Sequence, residues 1–193
     1  AGLHLVSENA PDVAPDGNHR LTGLEIVDNT GWGVSAWSGN ENLLMDHCLL
    51  WNNGGGVSHY YAGLTVSSCT IVQDGGTGIF LGYSAVAFSN NIVVASGAGS
   101  RCLDWWSLGS LASDYNDLYA EWGGQLSGSY GSLAAWRAAT GQDGHSLSLD
   151  PLFVDQWDGD YHVQSTGGSW HGGTWLADSA NSPCIDAGDP LAS

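Results

Sequence analysis

Few residues in this sequence are of types that could do acid–base chemistry together. Lysine is absent, and the permanent cations are Arg20, Arg101 and Arg137 against 20 acidic residues, for a net charge of −17. Elimination on an acidic sugar needs a cationic base beside carboxylates that hold calcium. The pair that meets this description is Arg101 with Asp104, and His59 is the imidazole that could join them as a catalytic candidate. Glycoside hydrolysis instead needs two carboxylates facing one bond from adjacent turns of chain. Asp28, Asp46 and Asp74 stand at turn positions, where aspartate is selected for its local backbone bonding. No HxH or CxxC spacing occurs, so there is no transition-metal signature. The turn DQWDGD offers Asp155, Asp158 and Asp160 as oxygen ligands for Ca²⁺ without the spacing of an EF-hand loop. No cofactor is expected, with Ca²⁺ at that turn as the one exception.

Aromatic residues make the stronger pattern. Trp37, Tyr60 or its neighbour Tyr61, Tyr83, and Trp105 or its neighbour Trp106 fall at nearly the same place in successive segments. Rings spaced by one strand separation would form a strip suited to stacking on sugar faces, with Asp104 and His59 at its border for hydroxyl groups. The alternative is that these rings pack beneath an insertion farther along the chain.

The elements that must position these residues are repeats. DHCLLWNNGGGV, SSCTIVQDGGTGI and SNNIVVASGAG each join a short apolar strand to a polar turn and a glycine cluster. The frame centres on Cys48, Cys69 and Asn91 and extends outward to Leu24 and Asn116, giving five turns of about 22 residues. In a stack of parallel strands about 4.8 Å apart, equivalent positions become ladders. Leu21, Met45, Val66, Phe88 and Ser113 form one inward column, and Leu24, Cys48, Cys69, Asn91 and Asn116 the next. Ile26, Leu50, Ile71, Val93 and Leu118 form a third, and Val34, Val57, Ile79 and Cys102 a fourth. Asn91 over Asn116 suits an amide ladder. Cys48 over Cys69 lies within disulfide reach, though stacked free thiols pack equally well; Cys102 and Cys184 are the remaining pair. An outward column of Val27, Trp51, Val72, Val94 and Tyr119 is apolar throughout and must be covered, by Leu133 and Trp136 or by another copy of the chain.

The expected fold is therefore all-β: a right-handed parallel β-helix in one domain over residues 1–193. Residues 1–18 supply an N-terminal strand at Leu3–Val6 and a loop, and 19–119 the regular coils. Residues 120–150 form a loop-helix insertion, with the helix near 132–140 capped by Ser132 and ended by Gly141. Residues 151–193 are read as further coils, with strands at Leu152–Val154, Tyr161–Gln164 and PCIDAG.

YNDLY, SLAAWRAATGQDGHSL, LDPLFVD, GDYHVQ and SPCIDAGDP together resemble the C-terminal part of secreted bacterial right-handed parallel β-helix proteins. The choice-of-anchor type is the nearest, within the wider pectate-lyase-like group. The resemblance implies the fold and no single activity, because that group holds lyases, hydrolases, epimerases and adhesins. In such proteins the DAG motif leads into a further strand, whereas here the sequence stops at Ser193. Both ends of the solenoid are accordingly expected to be open edges that favour end-to-end association.

The charge excludes nucleic acid and anionic membranes as partners, and no stretch approaches the ~20 apolar residues of a membrane span. The reading that results is an extracellular or cell-surface module, non-catalytic, that contacts polysaccharide or other copies of itself. The runner-up is a carbohydrate-active enzyme, a polysaccharide lyase or glycoside hydrolase.

Overall fold

Short β-branched runs separated by single residues that accept positive φ leave the chain no option but to coil. The computed structural model, which describes residues 2–6, 18–37 and 42–192, shows five stacked levels of strands. The first level holds β1 (Leu3–Val6), β2 (Asn18–Thr22) and β3 (Glu25–Val27). The second holds β4 (Trp32–Trp37), β5 (Asn42–Asp46) and β6 (Leu49–Trp51). The third holds β7 (Gly55–Tyr60), β8 (Gly63–Ser67) and β9 (Thr70–Asp74). In the fourth, the first two positions fuse into β10 (Thr77–Ser89), followed by β11 (Ile92–Ser96). In the fifth, β12 (Arg101–Asp114) is fused likewise and β13 (Asp117–Glu121) follows. Every strand pairs in parallel with its counterpart one level away, so the coil has three faces, and β10 and β12 join two of them into one sheet. The fold is the expected right-handed parallel β-helix with one short helix.

The inward columns stack as their spacing demands. Leu21, Met45, Val66, Phe88 and Ser113 are register partners, as are Ile26, Leu50, Ile71, Val93 and Leu118. Val34, Val57 and Ile79 continue into Leu103, not into Cys102 as the spacing suggested. Most of these side chains are sealed from solvent, and each large apolar one contributes about 1.5–3 kcal/mol. The corner between the second and third faces is one left-handed residue per level: Gly23, His47, Ser68, Asn90 and Tyr115 all have φ between 52° and 62°.

Immediately after that corner, a polar ladder runs down the inside. The Cys48 N–H points at Cys69 Sγ (3.3 Å), and the Cys69 N–H donates to Asn91 Oδ1 (2.9 Å). The Asn91 N–H and Nδ2 both donate to Asn116 Oδ1 (3.0 Å each), and the Asn116 N–H donates to Ser146 Oγ (2.8 Å). Each rung satisfies a buried donor that would otherwise be costly.

All four cysteines are free, so of the two readings of the stacked pair it is packed thiols that the structure shows, and Cys102 and Cys184 are likewise unbridged. Cys69 Sγ is occupied as a ladder acceptor and also reaches Ser67 O (3.2 Å). Cys102 Sγ lies between Val93 O (3.5 Å) and Tyr119 O (3.4 Å), while Cys184 Sγ faces Asp117 Oδ2 (3.2 Å). The neighbouring Cys48 sulfur and burial push the Cys69 thiol up, and burial does the same to Cys102. Burial, with the Asp117 carboxylate, raises Cys184 to about 12. Alkylation after denaturation without reductant is therefore expected to label four thiols per chain; mass spectrometry finding a Cys48–Cys69 or Cys102–Cys184 bridge would contradict this.

Past β13 the chain seals the end of the coil. Leu126 O accepts the Leu103 N–H (2.9 Å) and Leu147 O the Leu118 N–H (2.9 Å), so irregular backbone pairs with the last strands. Helix α1 (Leu133–Thr140) lies across the opening. Ser132 Oγ accepts the Ala135 N–H (3.3 Å), and Gly141 at φ 70° ends the helix. Its Leu133 and Trp136 join the core rather than the outward apolar column. The C-terminal coil is thus covered, which corrects the expectation of an open, strand-extending edge there.

Residues 151–193 are not further coils. β14 (Phe153–Asp155) and β15 (Asp160–Val163) pair antiparallel, as do β16 (Ser169–His171) and β17 (Thr174–Leu176). PCIDAG is a turn with Asp186 at φ 58°, and the tail is fastened back by the Asp189 N–H on Asn90 Oδ1 (2.7 Å). The β14–β15 hairpin covers the outward apolar column, with Tyr161 against Trp51 (5.6 Å between centroids) and Phe153 against Tyr161 (5.2 Å).

Candidate aromatic and acidic sites

Alternation along a strand decides which rings face solvent. In β4 and β7, Trp37 and Tyr60 point outward and are register partners, with ring centroids 4.8 Å apart. Tyr60 reaches Phe80 (5.8 Å), which reaches Trp32 (6.2 Å). Tyr61 and Tyr83 occupy the next corner and stack face to face at 5.4 Å with an interplanar angle of 2°. Six rings thus form one continuous patch, in which Trp37 is 53% exposed and Tyr83 52%. Two glycines make this possible by close approach: a Cβ on Gly55 would lie 2.5 Å from the Trp32 ring, and one on Gly82 2.1 Å from the Tyr60 ring. Tyr61 (φ 72°) and Tyr83 (φ 58°) are left-handed, a conformation that costs a bulky residue about 1–2 kcal/mol. The left-handed turn at each residue directs the two rings out from the corner.

Beside this patch runs a shallow groove of about 740 Å³ across the second face. Its floor is made by Gly63, Thr65, Ala85, Ala87 and Ser110, all small, with Leu44, Asn42 and Arg20 toward the N-terminal end. Tyr61 and Tyr83 each stand two residues before a floor residue, so their stack borders the groove.

Of the expected strip, Trp37, Tyr60 and Tyr83 lie in the patch and Trp105 does not. Trp105 pairs with Leu81 and His59 in an inward column and packs on Trp136 (5.5 Å) and Tyr130 (6.4 Å) beneath the insertion. Its neighbour Trp106, at the bulge, is 74% exposed. Tyr61, Phe80 and Trp32 complete the patch; the first was legible as an alternative to Tyr60, the other two had no repeat-level signal.

Of the catalytic candidates, Arg101 and Asp104 pair and His59 stands apart. His59 is 1% exposed, points into the coil and bonds Ser84 Oγ through Nδ1 (2.9 Å), so it borders no surface. Desolvation lowers its pKa to about 4. Arg101 bonds Asp104 Oδ2 (2.6 Å), and Asp104 Oδ1 accepts the Trp105 N–H (3.0 Å), an arrangement that ties β12 together on the outside. The calcium candidates serve their own turn. Asp155 Oδ1 accepts the Asp158 N–H (3.3 Å), and Asp160 Oδ1 accepts from the His162 N–H (3.1 Å) and bonds its Nδ1 (2.6 Å). Among the described residues no three His, Cys, Asp or Glu side chains converge as metal ligands.

The right-handed beta helix region family matches residues 6–110, more than half the chain. The chain belongs to the right-handed β-helix family. A second family, described as disaggregatase related, matches residues 124–188, which span α1 and both hairpins of this β-helix protein. No curated protein and no solved structure matches it.

Within the disaggregatase-related segment of the β-helix, one cluster has the composition of a hydrolytic triad. Ser169 Oγ lies 3.1 Å from His171 Nε2 and 2.6 Å from Asp178 Oδ2, and His171 Nε2 lies 2.9 Å from Asp178 Oδ1. A relay requires serine and carboxylate on opposite ring nitrogens. Here both share Nε2, and Asp178 also accepts the Ser165 N–H (2.8 Å), so the cluster staples the second hairpin instead.

Proposed function

We propose that this β-helix protein is a non-catalytic module that contacts polysaccharide, outside the cell or at its surface. The observation that carries the reading is the continuous six-ring patch bordering the groove on the second face. Flat rings stack on the apolar faces of pyranoses, and a floor of small side chains leaves room for a chain laid across the strands. A net charge of −17 turns the protein toward neutral glycans and away from nucleic acid. Among the described residues no helix is long and apolar enough to cross a membrane. The second reading, a carbohydrate-active enzyme, draws on the name disaggregatase related, which speaks of taking aggregates apart.

Trp37→Ala and Tyr83→Ala are each expected to weaken binding to neutral polysaccharide by about 1 kcal/mol, or roughly fivefold, while thermal unfolding stays in place because both rings are half exposed. Trp105→Ala should instead lower the unfolding temperature. Affinity electrophoresis in polysaccharide gels and a thermal scan check both halves; unfolding by all three variants would remove the platform. Release of reducing or unsaturated ends from the same polysaccharides would favour the enzyme.

A further inference from the structure

A second cleft, of about the same volume as the groove, lies elsewhere. The corner between the second and third faces supplies Glu25, His47, Ser68 and Thr70 on three successive levels, and the hairpin region faces them with Asp155, Asp158, Asp160, His162, Trp170 and His171. About 730 Å³ separates the two walls, within the span of small-molecule sites. Four carboxylates and three imidazoles line it, with no lysine or arginine.

The carboxylates are only partly engaged. Glu25 Oε1 accepts from Trp51 Nε1 (2.9 Å), Asp155 and Asp160 each use Oδ1 for their own turn, and among the described residues none donates to the Asp158 carboxylate. Opposed carboxylates between low-dielectric walls focus a negative potential, so the cleft attracts cations. A bare divalent ion would need converging ligands, and among the described residues none converge. Trp170, exposed on this wall, offers a flat face that suits a ring and an adjacent positive charge together. The imidazoles of His162 and His171 are exposed or half-exposed partners for hydroxyl groups.

We propose that this cleft binds amine-bearing sugars, an oligomer of hexosamine units with free ammonium groups, through Asp158, its neighbouring carboxylates and Trp170. The site lies on a different face from the aromatic patch and stands whether or not that patch binds glycan.

The test is calorimetric titration of the whole protein with a glucosamine oligomer and with its fully N-acetylated counterpart at low salt. The glucosamine oligomer is expected to bind about tenfold more tightly than the acetylated one, since acetylation removes the charge that the carboxylates recognise. Asp158→Asn, which disturbs no internal bond, should weaken binding about fivefold with an unchanged thermal transition, Trp170→Ala should weaken it further, and Tyr83→Ala should leave it as it was. Equal affinity for both oligomers, no heat at millimolar ligand, or indifference to Asp158→Asn would overturn the proposal. So would loss of binding in Tyr83→Ala, which would move the ligand to the patch, or equally tight binding of a lysine tripeptide, which would make the ligand a basic peptide.

Discussion

Trp136→Ala is expected to destabilise the protein by about 3–5 kcal/mol, measured as the shift of the urea midpoint at constant slope. Trp136 is fully buried in the core beside Trp105 and Tyr130, and it closes the last coil. Its Nε1 also donates to Asp143 Oδ2 (2.7 Å). Asp143, itself 1% exposed, takes Ser113 Oγ (2.9 Å), Ser146 Oγ (2.6 Å) and Asn116 Nδ2 (3.2 Å) on its other oxygen, so the helix, the insertion and the polar ladder meet at one carboxylate. Removing the indole opens a cavity and strips this buried carboxyl group of one donor. The variant should also associate through the uncovered edges of β12 and β13, visible by light scattering. A loss under about 1 kcal/mol would mean that α1 merely rests on the coil.

The second large effect is acid lability through His59. Its pKa is about 4 in the folded protein, because burial penalises the charged ring, against the ordinary 6.5 when unfolded. Below pH 6.5 the unfolded chain therefore takes up a proton that the folded chain refuses. The stability this histidine supports is present above pH 6.5 and lost as pH falls toward 4, by about 3 kcal/mol in all. His59→Gln, which never titrates, should flatten that part of the stability profile while remaining able to bond Ser84. Asp117, raised by burial, acts with the opposite sign, losing stability as pH rises through the carboxylate range, so the comparison of variant with parent isolates the histidine. Parallel profiles for the two proteins between pH 6.5 and 4 would contradict the assignment.

What the sequence disclosed and what it withheld divide on sequence separation. The coil frame, three inward columns and the Asn91–Asn116 rung were legible because residues of like character recur at one coil's spacing, and stacking makes spacing equivalent to contact. The fourth column failed at one residue. Aligning Cys102 with Ile79 in place of Leu103 shifts the fifth coil by one, and in a strand one residue exchanges inside for outside. That slip put Trp105 in line with Trp37 and Tyr60, whereas the outward residue is Trp106. His59 was misplaced by the same alternation, since Tyr60 beside it faces out. The cover over Val27, Trp51, Val72 and Val94 was demanded by their hydrophobicity, but its identity was not local. Tyr161 reaches Trp51 from more than a hundred residues away, with no repeat to betray it. For the same reason the sequence marked the acidic turn of Asp155, Asp158 and Asp160 but not the wall with Glu25 that faces it across the cleft.

The central claim, that the outward rings are a glycan platform, is tested most directly by a crystal structure with an oligosaccharide cut from the tightest-binding neutral polysaccharide. The account predicts pyranose density stacked over the Tyr61–Tyr83 pair or over Trp37 and Tyr60, with the chain continuing along the floor of Gly63, Ala85 and Ser110. Density confined to any other surface, or none at saturating ligand with these rings open to solvent, would contradict it.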